Sequence, residues 1–432
     1  MVAAKTLVCA RSTQAKACGY HYETASKSWN DNNLFFLYYY ETLNNCYNTF
    51  NIERSCKEDI MSKVYFASAR ALKWKYDDSM PGKLERLLKE LNMSTYFEPD
   101  EWVAVKTHWG SEGAHRIVRP IFLRKVVDAL KALGAKPFVT DTVRIKGLDY
   151  LEVANQNGLN HLSVGAPVVL ADGLYGNDNI MVKAGGILGE VAIASVIHDV
   201  PAMVVCSHVK GHIQAGYAGA IKNVAMGGVS SRHRTCGWKC GRGAMHTTGE
   251  GMLTWDKTKC ELCYQCMEIC PLDVINFVND ELQWNGNECW RCGRCERVCQ
   301  SRGLSLPGDA ARFMRSLAEA AKAVLSTFKA RKVIYVNFLT EIQPECDCMP
   351  IADVPVIQDQ GILISDDIVA VEQASIDMLL KSPPLPQAAT DEKKIIQGDD
   401  ILFKLSEKPY HIQIEESEKL GLGTKKYELI TL

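Results

Sequence analysis

No segment of this 432-residue chain is apolar for long enough to cross a membrane, and no basic stripe runs along it. Lysine and arginine number 49 against 51 aspartates and glutamates, a formal net charge of −2, so neither nucleic acid nor a membrane is expected as a partner. A Gly-x-Gly-x-x-Gly turn after a strand is missing, and so is a P-loop, which leaves Rossmann-type nicotinamide or flavin binding without support. The opening MVAAKTLVCARS lacks a sustained apolar run and does not read as a secretory signal. The 47% hydrophobic and 23% charged residues describe an ordinary globular protein, long enough for a large core plus one or two small modules.

Cysteine is the exception to this plainness. Of 17 cysteines, eight fall between residues 260 and 299 as two runs with one spacing: Cys260, Cys263, Cys266 and Cys270, then Cys289, Cys292, Cys295 and Cys299. A thiolate every third residue lets a tight loop wrap three corners of a metal cluster, while a remote fourth sulfur closes the site. Zinc ribbons use paired CxxC units and have no need of the third and fourth cysteines, and disulfides belong to oxidising compartments. The double run resembles the bacterial two-cluster ferredoxin module, in which each 4Fe-4S cubane takes three cysteines from one run and the fourth from the other. That resemblance implies two 4Fe-4S clusters, one on Cys260, Cys263, Cys266 and Cys299, the other on Cys289, Cys292, Cys295 and Cys270. Pro271 stands where that family places a proline after the fourth cysteine, whereas Gln300 follows Cys299. With eight thiolates reserved for metal, a reducing cytoplasm is the expected compartment.

Residues 1 to 60 differ from the rest. Seven asparagines between Asn30 and Asn51 surround LFFLYYY without helical or strand alternation. Lys57-Glu58-Asp59-Ile60 can be encoded by a purine-rich ribosome-binding sequence a few bases before the Met61 codon. A translated leader before a natural start at Met61 is therefore expected, the alternative being a poorly ordered natural extension. The intact mass of the native protein separates the two.

From Lys63 the pattern is α/β. VYFASA reads as a strand, PGKLERLLKELNM as an amphipathic helix, WVAVKTHWG as a buried strand entering a glycine turn, and VRPIFLRKVVDALKALGA as a helix with Gly134 as its C-terminal cap. KPFVTDT and PAMVVCSHVK continue as strands. A mainly parallel sheet with helices on both faces follows from this alternation. The cluster module, 250–305, interrupts the α/β domain, whose first part is 61–249 and whose second, 306–432, resumes with ARFMRSLAEAAKAVLSTF as a helix and KVIYVNFL as a strand. A further helix, DDIVAVEQASIDMLLK, is expected to be capped near Ser365 or Asp366.

Two stretches outside the module carry polar chemistry. Lys106 and His108 end one strand, with His115, Arg116 and Arg119 beyond; His208, Lys210 and His212 end another, followed by Lys222 and Asn223 among glycines and alanines. Parallel strands deliver such groups to one carboxyl edge, where open α/β sheets bind ligands. Small residues admit close approach, and a helix starting near 216–220 is expected to offer free N–H groups to an anion. His108, Lys210 and His212 are the candidate catalytic groups, and Lys106, Lys222 and Asn223 the candidate ligand-binding ones, in a cleft bordered by a cluster.

VKTHWG, HVKGH, AGAIKN and the Gly227-Gly228 turn, followed by a ferredoxin insert and later by SDDIVAVEQASIDML and EKLGLGTKKYEL, are together similar to the iron-sulfur branch of the family catalogued as domain of unknown function 362. The resemblance spans roughly residues 61 to 432 and implies an α/β fold with inserted clusters but little chemistry. Cys236, Cys240, Cys346 and Cys348 form a third metal site if the fold joins the two pairs; otherwise they are reduced cysteines used as small residues. Cys206, in an apolar strand, belongs to the core.

Two clusters in one module serve electron transfer. The expected function is an iron-sulfur electron-transfer protein that works with a redox partner protein and feeds a redox reaction on an anionic substrate or cofactor at the α/β domain. The alternative is a non-catalytic carrier whose α/β domain docks that partner. A weaker third reading is a non-redox lyase or racemase with structural clusters. Convergent Lys, His and Cys side chains favour an enzyme, an exposed apolar patch a carrier.

Overall fold

The computed structural model describes residues 61–432 apart from 145–146, 238, 247–251, 271, 290 and 307. The expectation of a leader concerns residues outside those described. Met61–Leu432 forms one compact unit.

Its centre is an eight-stranded sheet. In chain order the strands are β1 (Ser62–Ser68), β2 (Trp102–Lys106), β3 (Lys136–Asp141), β4 (Val168–Leu170), β5 (Ala202–His208), β6 (Val333–Leu339), β7 (Gly361–Ser365) and β8 (Tyr427–Thr431). Their spatial order is β8-β1-β7-β6-β5-β2-β3-β4. From β6 to β4 all neighbours are parallel. β7 runs antiparallel to both β6 and β1, and β8 pairs parallel with β1 at the edge. The sheet is thus mainly parallel, as the alternation of strand and helix predicts.

Period-two alternation splits the strand side chains between two cores. Met203 and Val205 of β5 face one core, and Ala202, Val204 and Cys206 face the other. The first is covered by α4 (Ala220–Gly228), α5 (Ala310–Leu325) and α6 (Ile368–Lys381), the second by α1 (Met80–Glu90), α2 (Pro120–Ala132) and α3 (Gly147–Gln156). Helices therefore lie on both faces. Local chemistry sets several helix ends: Ser79 accepts from the Gly82 N–H at the start of α1, and Asp309 from the Arg312 N–H at the start of α5. α6 is capped by Asp367, whose side chain accepts from the N–H groups of Val369 and Ala370, one or two residues beyond the position expected. Gly134 follows α2 with φ +80°, the left-handed conformation that ends a helix cheaply only in glycine.

Between α4 and α5 the chain forms two short antiparallel ladders, Thr254–Trp255 with Leu304–Ser305 and Ile275–Val278 with Glu281–Trp284. They enclose a separate small core in which Val274, Ile275, Leu304 and Leu306 pack with Cys266, Cys289 and Cys295. The second cysteine run sits against the α/β part through polar contacts. Gln214 donates to the Arg291 carbonyl at 3.1 Å, Arg294 to the Cys348 carbonyl at 3.3 Å, and Arg297 pairs with Glu345.

Candidate functional site

β2 and β5 are adjacent and parallel, so their carboxyl ends open side by side, at the edge of the sheet where ligands bind in such folds. The loop after β6 and the hairpin Lys210–His212/Gly216–Ala218 complete a cavity of about 110 Å³. Lys106, His108, Lys210, His212, Lys222 and Asn223 all line it, together with Asp141, Arg144, Tyr150, Arg242, Arg294, Cys346, Cys348 and Cys292 of the second cysteine run. Arg116 and Arg119 lie elsewhere, paired with Glu341, and His115 does not line the cavity.

One wall is built on Asp141, the last residue of β3. Lys106, 1% exposed, places Nζ 2.8 Å from Asp141 Oδ1 and donates to Asn223 Oδ1 at 2.7 Å. Asn223 in turn donates to the Cys206 carbonyl and the Ser207 hydroxyl, both at 3.0 Å, which ties α4 to the end of β5. His108 Nδ1 lies 3.1 Å from Asp141 Oδ2, the oxygen to which the Tyr150 hydroxyl also donates. The other ring nitrogen, Nε2, is buried with no hydrogen-bond partner. Burial pushes the Asp141 carboxyl up, but the Lys106 charge and the His108 contact outweigh it and hold the group well below the usual carboxylate range. Burial lowers both Lys106 and His108 in spite of Asp141.

A second cluster of side chains turns on Asp347. Lys210 Nζ is 2.5 Å from its Oδ2, His208 Nδ1 is 3.1 Å from both oxygens, and Gln343 donates to Oδ1 at 2.9 Å. Burial raises this carboxyl, the Lys210 charge lowers it more, and the result is about 2. His212 accepts through Nδ1 from the backbone N–H groups of Gln214 and Ala215, at 3.1 and 2.9 Å. Burial, reinforced by the Lys222 charge, depresses this imidazole to about 4. With Asp141 and Asp347 satisfying Lys106 and Lys210, the cavity keeps Lys222, Arg144, Arg242 and Arg294 as cations without a carboxylate among the ion pairs of the described residues. Arg144 spends one N–H on the Cys348 carbonyl and Arg242 one on the Thr142 hydroxyl.

Two expectations need correction. The N-terminus of α4 is not open to an external anion: the buried Glu372 carboxylate from α6 accepts the Ala220 N–H and is held by Asn337. Gly219 is tight against that carboxylate, with no room for a Cβ. Nor do the four outer cysteines meet as a thiolate site. Cys236 and Cys240 are joined to each other in a disulfide, so neither is a reduced cysteine either. Cys346 and Cys348 instead lie with His212, all three donor atoms within 4.8 Å of one another.

The eight cysteines of the double run surround two small cavities. One is lined by Cys260, Cys263, Cys266 and Cys299, the other by Cys270, Cys289, Cys292 and Cys295. Each thus draws three sulfurs from one run and one from the other, all as free thiols. Backbone amides already point at two of them, Gly303 N–H at Cys299 and Arg291 N–H at Cys289, as suits sulfur carrying negative charge. This donor set fits 4Fe-4S clusters, whose ligands are four thiolates.

Asp141, Tyr150, Arg144, Arg242, Asp347 and Arg294 are site residues that reading the sequence misses. Asp141 was within reach of the same argument that finds Lys106, since it ends the neighbouring strand. The others sit in loops or helices whose distance from the cavity no local pattern encodes.

Among described residues no helix is long and apolar enough to cross a membrane. No curated protein matches the chain. Solved structures to which it is similar include the lactate racemase apoprotein from Thermoanaerobacterium thermosaccharolyticum, at 12% identity and TM-score 0.31, over 65% of this chain and 51% of that one. A Thermotoga maritima protein solved by structural genomics is similar at 8% identity and TM-score 0.33, over 62% of this chain and 52% of that one. The chain spans about half the length of each, and likenesses this distant carry no argument about function. Residues 103–377, well over half of the chain, match the family described as domain of unknown function (DUF362), and the chain belongs to that family.

Proposed function

We propose that this protein is an iron-sulfur redox protein that binds two 4Fe-4S clusters and supports a reaction on a small anionic molecule in the cavity at the carboxyl edge of its sheet. The observation that carries the reading is that Cys292 and Arg294 line both the second four-cysteine cavity and the basic one at the sheet edge. Cys260, Cys263, Cys266 and Cys299 would hold one cluster and Cys270, Cys289, Cys292 and Cys295 the other; when bound, the clusters supply single electrons.

The chain's own residues divide the remaining work. Arg144, Arg242, Arg294 and Lys222 attract a carboxylate or phosphate and fix its orientation. His108, which lines the cavity with Nδ1 held by Asp141 and a buried Nε2 that has no hydrogen-bond partner, would exchange a proton with the bound molecule. Cys263 is exposed beside Tyr264 (40% exposed), whose hydroxyl donates to Asp280 in the turn of the hairpin that carries Val278 (52%), and this surface is where a redox partner protein would meet the first cluster site.

The test is anaerobic purification of the full chain with iron and inorganic sulfide analysis, then binding of small carboxylates and phosphate to the wild type and to Arg294→Gln. The reading expects weakened anion binding with iron content intact. Equal binding by the two proteins would remove the anionic substrate, and iron-free protein would remove the clusters.

A further inference from the structure

Cys346 is surrounded in a way its neighbours are not. The Cys348 backbone N–H donates to its sulfur at 3.3 Å, and Lys222 Nζ lies 3.7 Å away. His212 Nε2 is within 4.8 Å of the same sulfur and 4.0 Å from Cys348 Sγ. The tautomer of His212 follows from its other nitrogen: Nδ1 accepts two backbone N–H groups, so it carries no proton, and a neutral ring must carry its proton on Nε2. A histidine that binds a metal normally does the reverse, donating from the nitrogen that is not on the metal. His212 thus turns an N–H toward the two sulfurs, and the trio is arranged to stabilise a thiolate rather than to chelate an ion. Between the two sulfurs, the backbone amide and the lysine both single out Cys346.

We propose that Cys346 is a nucleophilic thiolate that attacks an electrophilic carbon of a small carboxylate-bearing molecule, such as an oxo acid, held in the cavity. Its sulfur lone pair forms the S–C bond, the carbonyl π pair moves to oxygen, and that oxygen takes a proton from Lys222, giving a hemithioacetal with no net redox change. The anionic nature of the molecule rests on the function proposed above; the thiolate itself does not depend on the clusters.

The test is alkylation of the anaerobically purified full chain by iodoacetate and, separately, by neutral iodoacetamide, with site-resolved mass spectrometry. In both the sulfur displaces iodide, so the reagents differ chiefly in charge. Cys346 should react fastest among the cysteines outside the double run, with iodoacetate favoured over iodoacetamide by about tenfold through the basic cavity. The preference should shrink in Lys222→Gln, and labelling of Cys346 should persist in Cys348→Ser. Equal rates for the two reagents, preferential label on Cys348, or a zinc equivalent that is lost in Cys346→Ser and that blocks labelling would each overturn the proposal. Iron is counted on the same samples. Cys263→Ser, with reduced iron and unchanged Cys346 labelling, separates this claim from the cluster reading.

Discussion

Lys106 and Asp141, the last residues of adjoining parallel strands, form an ion pair 2.8 Å long with both side chains out of water. Such a pair gains little over apolar residues, but losing one partner strands the other charge. Asp141→Asn should therefore lower the unfolding free energy by about 3–5 kcal/mol, with the double variant Lys106→Met/Asp141→Asn losing less than the single one. Chemical denaturation at constant pH checks it; a loss under about 1 kcal/mol for Asp141→Asn would mean that Lys106 finds another partner.

Gly227 allows that lysine to pass. A Cβ there would collide with Lys106 Nζ and Cε and crowd Asp141. Gly227→Ala should destabilise the protein by about 1–3 kcal/mol even though alanine is the better helix former, because the ammonium cannot move without leaving Asp141. Thermal unfolding measures this, and a rise in Tm would contradict it.

Much of this arrangement is legible in the sequence, for a definable reason. The strands that carry Lys106 and His208 are continuous apolar runs, as strands buried on both faces must be, so the polar groups that follow each run mark its end. The partners that decide the electrostatics come from afar: Asp347 lies in a loop 137 residues from Lys210. Glu372, which occupies the helix start expected to be open, lies 152 residues from Ala220. A polar residue in a helix interior reads as solvated unless its neighbours in space are known, and Glu372 falls within α6. The C-terminal YELIT illustrates the same limit, since only its pairing with β1 makes it a strand.

Glu372 also has a pH signature. Burial raises its carboxyl from 4.5 to about 7, against the hydrogen bond from Ala220. Between those values the unfolded chain releases a proton that the folded chain keeps, so stability present below about 4.5 is lost as pH rises toward 7, by about 3 kcal/mol in all. Glu372→Gln should abolish this contribution. Its stability relative to wild type should grow from pH 5.5 to pH 8 in urea titrations, and parallel pH curves for the two proteins would show that Glu372 does not titrate there.

Crossed cysteine sets make a specific demand on variants. Cys270→Ser should damage the site built mainly from Cys289, Cys292 and Cys295, and Cys263→Ser the other, each leaving about four irons per chain. Electron paramagnetic resonance of the reduced variants distinguishes the two surviving signals. The same signal surviving in both would mean that each run closes on itself.

The most direct measurement is the metal and sulfide content of the full chain purified without oxygen, with the spectrum of the reduced protein taken on the same sample. The account predicts about eight irons and eight inorganic sulfides per chain and, on reduction, the interacting signals of two neighbouring 4Fe-4S clusters. Zinc without inorganic sulfide, or a chain whose double run is closed by disulfides, would contradict it.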